Sequence, residues 1–226
     1  MKFSQSPAGT NGVNLRLEES PGAGTTSMLL AVEDHLRSHP NLFISDTVIG
    51  YRSLVVFFCP ESASRSALLD AVERFDPESC DNTREGQLIR LPVWYSPESG
   101  PDLAEVADLC GISIDELVRL HTAPIYDAAA TGFAPGFCYL GQTPARLTIP
   151  RLPTPRRLVA AGSVAIADNQ TAVYPTASPG GWRLLGRCPI PLVSLDWPIP
   201  VKIQVGDRVQ FYPITRQEFM EMGGIP

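Results

Sequence analysis

Residues 132–187 contain, in order, the segments Gly132-Phe-Ala-Pro-Gly-Phe-Cys-Tyr-Leu-Gly141, Ala161-Gly-Ser-Val-Ala-Ile-Ala167 and Gln170-Thr-Ala-Val-Tyr-Pro-Thr-Ala-Ser-Pro-Gly-Gly-Trp182, and they end with Leu185-Gly-Arg187. Short apolar runs alternate here with glycine and proline, which favours short β-strands joined by tight turns. From residue 130 onward this alternation predicts a β-barrel or a β-sandwich. A fold does not require so many aromatic and arginine residues in its loops, so the stretch also predicts a binding surface.

Upstream of this stretch, the pattern changes to alternating strands and helices. Residues 13–17, 45–49 and 53–58 have the composition of strands, whereas residues 25–37 and 62–75 carry apolar side chains at helical spacing. The order β-α-β-β-α is typical of a small ferredoxin-like α+β domain, in which helices cover one antiparallel sheet.

A polar segment at residues 76–86 lacks periodicity and contains Pro77 and Gly86, so it is the candidate linker. We place the boundary near residue 82, which predicts an α+β domain over residues 1–82 and a mainly β domain over residues 83–226. The second domain opens with a strand at 87–95 and two short helices at 102–110 and 113–121. Ser113 and Glu116 have the spacing of a capping box at the start of the second helix.

The composition excludes several classes of protein. The net charge is −6, with 18 Lys and Arg against 24 Asp and Glu, which disfavours a nucleic-acid-binding protein. No apolar run approaches the roughly 20 residues of a membrane helix, and the N-terminal residues lack a signal-peptide core. The five cysteines are widely spaced and form no C-x-x-C pair, so we expect neither a zinc site nor a disulfide framework, but reduced thiols in the cytoplasm.

Several polar residues are candidates for chemistry, and each has a structural alternative. His121 ends a predicted helix, where it either moves a proton or stabilises the helix dipole. Arg151, Arg156 and Arg157 follow prolines, where they either bind a carboxylate or phosphate or lie in solvent. Ser178 precedes Pro179-Gly-Gly181, a turn that lets an anion approach the backbone. No Walker loop and no G-x-S-x-G elbow is present.

The aromatic and amide side chains also leave two interpretations open. Phe133 and Phe137 either stack on a planar ligand or pack beneath their own loop. Gln170 and Tyr174 either orient an amide substrate or bind water at the rim of a cleft. Cys138 has no activating base nearby in the sequence, so we expect it to be a small apolar core residue.

Taken together, these motifs resemble the family of 5-oxoprolinase B subunits, which is also labelled KipI-like or allophanate hydrolase subunit 1. The resemblance rests on the segments quoted above, on Thr154-Pro-Arg156, and on Gly206-Asp-Arg-Val-Gln-Phe-Tyr-Pro213, and it covers nearly the whole chain. Two positions depart from the family pattern, because Cys138 and Ala160 stand where relatives often have proline. The polar lead at residues 4–11 also lacks the usual Gly-Asp opening.

The resemblance implies an α+β N-terminal domain and a cyclophilin-like β-barrel at the C-terminus. It implies a cytoplasmic, ATP-dependent 5-oxoprolinase, which is a cyclic-amide hydrolase. This B subunit is expected to act together with 5-oxoprolinase subunits A and C, and the complex is expected to convert 5-oxo-L-proline to L-glutamate. The B subunit is expected to contact the C subunit most closely and to be inactive alone. The cosubstrate is ATP with Mg²⁺, and no tightly bound cofactor or resident metal is expected. The family also suggests two alternatives: inhibition of a sensor histidine kinase, and an accessory role in urea or allophanate hydrolysis.

The resemblance also implies the positions of the site residues. We predict a cleft in which His121 moves a proton, Arg156 and Arg151 hold a carboxylate or phosphate, and Gln170 and Ser178 bind the lactam amide. The remaining predicted substrate contacts are Phe133, Phe137, Tyr139, Ser163, Tyr174 and Trp182.

Overall fold

The computed structural model describes residues 2–19, 24–77 and 86–225. The chain divides into two compact units, Met1–Glu85 and Gly86–Pro226. The predicted boundary near residue 82 and most of the predicted linker lie outside the described residues.

Within its described residues, the first unit contains one four-stranded antiparallel sheet and two α-helices. Its strands, in the order β1-β2-β4-β3, are β1 (Phe3–Pro7), β2 (Gly12–Leu17), β3 (Ile44–Ile49) and β4 (Ser53–Phe58); its helices are α1 (Thr25–Arg37) and α2 (Arg65–Glu73). Buried residues alternate with partly exposed ones along β4, because one face of the sheet packs against the core. Helix α1 contacts β3, β4 and α2. The polar edge strand β1 was not predicted, because its sequence, Phe-Ser-Gln-Ser-Pro, carries no apolar alternation.

The second unit contains nine strands and three α-helices within its described residues. The strands are β5 (Leu88–Val93), β6 (Tyr126–Thr131), β7 (Cys138–Gly141), β8 (Arg156–Val159), β9 (Ser163–Ala167), β10 (Gln170–Val173), β11 (Ser178–Gly180), β12 (Arg183–Arg187) and β13 (Arg208–Pro213); the helices are α3 (Leu103–Cys110), α4 (Ile114–Thr122) and α5 (Arg216–Glu221). Among the described residues, no helix is long and apolar enough to cross a membrane.

Seven of these strands form a mixed sheet that curls into a nearly closed barrel. The order is β12-β9-β10-β7-β6-β13-β5; β5 and β13 are parallel, and the other pairs are antiparallel. Trp94, which follows β5, bridges Arg187 at the end of β12, with backbone N–H···O distances of 2.9 and 3.0 Å. This one bridge joins the two edges of the sheet. The predicted β-barrel is therefore confirmed.

The two faces of the barrel sheet carry different clusters, because neighbouring residues of a strand point to opposite faces. Leu140, Val164 and Val173 belong to the inner cluster, which also contains buried residues from β5, β6 and β13. Ala165 and Ala172 belong to the outer cluster, which lies between the sheet and the two-stranded ribbon formed by β8 and β11. A third cluster packs α3 and α4 against residues of β9 and β12.

Candidate active site

Five aromatic residues gather on the outer face of the barrel sheet, and we call them the aromatic cluster. Phe137 lies at its centre and is 2% exposed. Its ring centroid lies 5.0 Å from that of Tyr139, 5.2 Å from Phe133, 5.4 Å from Tyr174 and 5.9 Å from Trp182. Most of these contacts are edge-to-face, the arrangement that aromatic pairs prefer. Phe133 is 61% exposed and forms the rim of the cluster.

Local backbone geometry accounts for the shape of the aromatic cluster. Phe133 has a φ of 70°, a left-handed conformation that costs an L-residue about 1–2 kcal/mol, and it follows Gly132 in the turn between β6 and β7. At Gly180 of β11, a Cβ atom would lie only 2.3 Å from the hydroxyl oxygen of Tyr174. Glycine is therefore required where the ribbon crosses the ring of Tyr174.

Two arginines border the aromatic cluster. The guanidinium carbon of Arg151 lies 5.7 Å from the ring centroid of Trp182, within cation–π range. Arg156 Nη2 donates to Asp102 Oδ1 at 2.6 Å, and the other oxygen of this buried carboxylate accepts the backbone N–H of Leu184 at 2.7 Å. Arg156 Nη1 is buried and has no hydrogen-bond partner among the described residues. A buried guanidinium donor without a partner is costly, so the position suits a ligand that accepts from it.

A second unpartnered polar atom lies on the same ribbon. Ser178 of β11 pairs with Val159, and Gly180 pairs with Arg156, so Ser178 and Arg156 lie on adjacent strands. Within the part of the chain that the structure describes, the buried Oγ of Ser178 makes no hydrogen bond. Burial raises the pKa of the Tyr174 hydroxyl, while a hydrogen bond from the Trp182 backbone and the charges of Arg151 and Arg156 act in the opposite direction.

Two further predicted residues face the same side of the sheet. Gln170 lies two positions before Ala172 on β10, and Ser163 lies two positions before Ala165 on β9, so both lie on the outer face. Ser163 is 3% exposed, and Gln170 is partly exposed. Ten of the eleven predicted site residues therefore lie on the outer face or the ribbon and loops that border it.

His121 is the exception, because it lies on the inner face of the sheet. It is fully buried at the end of α4, and its ring stacks on Phe211 with the centroids 4.8 Å apart. Its Nδ1 is 2.7 Å from the Tyr95 hydroxyl, and its Nε2 is 2.8 Å from Thr171 Oγ1. Thr171 lies on the opposite face of β10 from Ala172. The structure therefore does not bring His121 together with the other candidates.

The hydrogen bonds of His121 form a saturated chain. Thr171 Oγ1 donates to the Ala165 carbonyl at 3.1 Å, so it accepts from Nε2–H, and Nδ1 in turn accepts from the Tyr95 hydroxyl. Burial lowers the pKa of His121 to about 3 and raises that of Tyr95 well above its ordinary value. His121 is thus a neutral residue that ties α4 and the segment after β5 to the inner face of β10.

The structure adds two charged residues that the sequence analysis missed. Asp102 is 4% exposed and binds Arg156. It lies in the segment Gly100-Pro-Asp102, where glycine and proline are the sequence feature that could have drawn attention to it. Arg183 is 7% exposed and donates from Nε to the Pro150 carbonyl at 3.1 Å. Its Nη1 lies 2.8 Å from Glu105 Oε1 without hydrogen-bond geometry, so that contact is a charge pair only.

No group of three or more His, Cys, Asp or Glu residues within ranges 2–19, 24–77 and 86–225 is placed to hold a metal ion. The predicted site residues at the aromatic cluster and on the same outer face offer cationic, hydroxyl, amide or aromatic groups. Such a set suits a small planar anion or amide better than a cation.

Comparisons with known proteins match this chain to one family model and to relatives that share one name. The protein-family model described as carboxyltransferase domain, subdomain C and D, matches residues 3–201. The 5-oxoprolinase B subunit of Escherichia coli O157:H7 is 38% identical over 209 residues, which cover 91% of this chain and 93% of that protein. The protein of the same name from Bacillus subtilis (strain 168) is 30% identical over 230 residues, covering 97% and 96%.

Two solved structures are also similar. The crystal structure of TTHA0988 in space group P212121 is 34% identical with a TM-score of 0.79, and the match covers 90% of this chain but 40% of that one. This chain therefore spans less than half the length of TTHA0988. The Kluyveromyces lactis urea amidolyase matches 97% of this chain and 15% of its own, with a TM-score of 0.75 and 17% identity, which is a likeness of fold alone.

Proposed function

The chain belongs to the family described as carboxyltransferase domain, subdomain C and D, and to the 5-oxoprolinase B subunits, and from this we propose that it is the B subunit of an enzyme that hydrolyses 5-oxo-L-proline to L-glutamate. Two relatives with this name are aligned over more than nine-tenths of both chains. The fold of the barrel unit is compatible with this assignment. We further infer a ferredoxin-like first unit and a cyclophilin-like barrel.

One observation in particular supports a substrate site on the outer face. Arg156 Nη1 and Ser178 Oγ are buried and have no hydrogen-bond partner in the part of the chain that the structure describes. They lie on adjacent strands, next to a wall of aromatic rings. 5-Oxo-L-proline is a small flat ring that carries one carboxylate and one amide. The carboxylate would satisfy Arg156, the amide would satisfy Ser178, and the ring would contact the aromatic side chains.

The proposed roles follow from these contacts. Arg156 binds the carboxylate, and its pair with Asp102 fixes the direction of the guanidinium group. Arg151, over Trp182, adds positive charge at the same border. Gln170, on the outer face of β10, and Ser178 bind the amide whose bond is to be broken. His121 has both ring nitrogens occupied on the opposite face, so its proposed role is to position β10 rather than to move a proton.

Hydrolysis of a resonance-stabilised lactam is coupled to ATP with Mg²⁺ in this proposal. The nucleotide is bound by the assembled complex, and this chain supplies substrate-positioning groups. Its partners are 5-oxoprolinase subunits A and C, with the C subunit in the closer contact, and the chain is inactive alone. The chain acts in the cytoplasm.

The two alternative functions are not favoured. Relatives aligned along nearly the whole chain carry the 5-oxoprolinase name, and the urea amidolyase is similar in fold alone. Inhibition of a kinase gives no reason for Arg156 Nη1 and Ser178 Oγ to lack hydrogen-bond partners among the described residues beside the aromatic cluster.

The deciding experiment is glutamate formation from 5-oxo-L-proline and ATP by the chain assembled with subunits A and C. We expect activity only when all three chains are present. Arg156→Lys keeps the charge but loses the forked donor pair, so the KM for 5-oxo-L-proline should rise about 10- to 100-fold, in line with 1–3 kcal/mol for a charge-assisted hydrogen bond.

The matched control is Arg157→Lys, at an exposed position adjacent on β8, which should leave the KM unchanged. Absence of glutamate from a folded three-chain complex would contradict the proposed function. An unchanged KM in Arg156→Lys would contradict the site alone.

A further inference from the structure

A cleft of about 420 Å³ lies in the barrel unit beside residues 223–225. Its walls are mostly apolar, and they are formed by Pro175, Pro189, Ile190, Pro191, Leu192 and Phe219. Proline has no backbone N–H, so these walls offer few hydrogen-bond donors. Of the described residues that line the cleft, Arg187 alone is charged.

Among the described residues, no carboxylate neutralises the charge of Arg187. Its Nε donates to the Ala161 carbonyl at 3.3 Å, and its Nη1 donates to the Ile225 carbonyl at 2.9 Å. Both acceptors are uncharged. No carboxylate of the described residues lies within ion-pair distance of Arg187, in contrast to Arg151, Arg156 and Arg183. The two carbonyls hold the guanidinium group in place, and Nη2 keeps its donors for another acceptor.

We propose that this cleft binds a small molecule with one carboxylate and an apolar body, and that Arg187 is the contact for the carboxylate. A partly buried guanidinium group gains most from an anionic acceptor, because charge-assisted hydrogen bonds are about twice as strong as neutral ones. The proline, isoleucine and phenylalanine side chains account for the apolar part of the ligand. The proposal does not depend on the oxoprolinase assignment.

This cleft is distinct from the aromatic cluster. Tyr174 is the one residue that contributes to both, whereas Arg156 and Ser178 do not line the cleft. The two sites therefore use different arginines, and substitutions can separate them.

The test is a fluorine-NMR titration of the full chain with 4-fluorobenzoate, and with the uncharged 4-fluorobenzamide as the ligand control. We expect the wild-type chain to bind the benzoate at least tenfold more tightly than the benzamide. Arg187→Gln should weaken benzoate binding at least tenfold. Ala161→Glu places a carboxylate at an exposed position on the cleft wall, where it neutralises Arg187, and it should have the same effect.

Two control variants locate the binding. Arg208→Gln removes the same charge at an exposed position of β13 and should bind benzoate as the wild type does. Benzoate is itself a planar carboxylate that suits the aromatic cluster, so Arg156→Gln removes any binding there. A chain with Arg156→Gln should still bind benzoate, and adding Arg187→Gln should abolish that binding. If Arg187→Gln fails a thermal-melting check, Ala161→Glu decides alone. The proposal is overturned if the wild type does not bind benzoate, if benzamide binds equally well, or if Arg156→Gln is the variant that loses binding.

Discussion

The protonation state of His121 makes a prediction about stability. Its pKa of about 3 in the folded chain lies below the ordinary value near 6.5, so the folded state binds fewer protons between these pH values. The contribution of this group to stability is complete above pH 6.5 and declines as the pH falls towards 3, with a limiting slope of about 1.4 kcal/mol per pH unit. Urea unfolding at pH 7, 5 and 4 measures this slope. The free energy of unfolding of His121→Gln should decrease less steeply with falling pH than that of the wild type.

At pH 7, the same variant should be less stable by about 1–3 kcal/mol, because Tyr95 or Thr171 loses a hydrogen-bond partner. His39→Gln, two positions after the end of α1, is the control and should keep the wild-type pH slope. Equal slopes for His121→Gln and the wild type would show that His121 becomes protonated while folded, which would restore it as a candidate for proton transfer.

Adjacent glycines on the ribbon should respond differently to substitution. A Cβ at Gly180 would lie 2.3 Å from the Tyr174 hydroxyl, whereas a Cβ at Gly181 would have its nearest contacts at 3.6 Å, on Pro155. Gly180→Ala should therefore displace the ribbon or Tyr174, lower the free energy of unfolding by about 1–3 kcal/mol and reduce the activity of the complex. Gly181→Ala should be tolerated. Denaturant titrations of both variants test this contrast, and equal effects would contradict it.

The sequence predicted most of the side chains that the structure brings together on the outer face, but not their geometry. Phe137, Tyr174 and Trp182 could be named because aromatic residues in glycine- and proline-rich turns are unusual. His121 was grouped with them because the end of a helix does not indicate which face of a sheet it meets. Asp102 was missed because its partner Arg156 is 54 positions away, and no local pattern connects them.

At the scale of elements, local patterns located the helices and strands well. Residues 25–37 and 53–58 have the predicted bounds, and the other predicted strands and helices of the first unit shift by a few residues at most. The predicted capping box of α4 is half present: Ser113 Oγ accepts the N–H of Glu116, but the Glu116 carboxylate binds Arg119 and Arg146. The complete capping box belongs to α5, where Thr215 and Glu218 were not recognised.

Helix α5 should contribute to stability through one side chain. Phe219 is 1% exposed, and its ring centroid lies 5.3 Å from that of Trp94, beside the bridge that joins the barrel edges. Phe219→Ala should lower the free energy of unfolding by about 3–5 kcal/mol and change the tryptophan fluorescence. Met220→Ala, at the next and half-exposed position, is the control and should change stability by less than about 1 kcal/mol. Similar losses in both variants would exclude a specific contribution of Phe219.

For the whole molecule, the two compact units predict separate folding. Each unit has its own sheet and its own buried residues. A fragment of residues 86–226 should fold alone into a β-rich domain, with a cooperative thermal transition and the near-ultraviolet circular dichroism of packed tryptophans. An unfolded fragment from a full chain that folds normally would show that the barrel depends on the first unit.

The parallel pairing of β5 with β13 also has a consequence during protein synthesis. Gln87, just before β5, bonds to Asp207, 120 positions later, and β5 lies at the edge of the sheet with β13 as its one neighbour. Closing so long a loop lowers the entropy of the chain before the pairing of β5 with β13 stabilises it. On the ribosome, the first unit can form while the rest of the chain is still being made, but β5 must wait until residue 213 has left the exit tunnel. A nascent barrel unit therefore exposes an unpaired strand for nearly the whole of its translation, which makes this interval the period in which a chaperone would protect it.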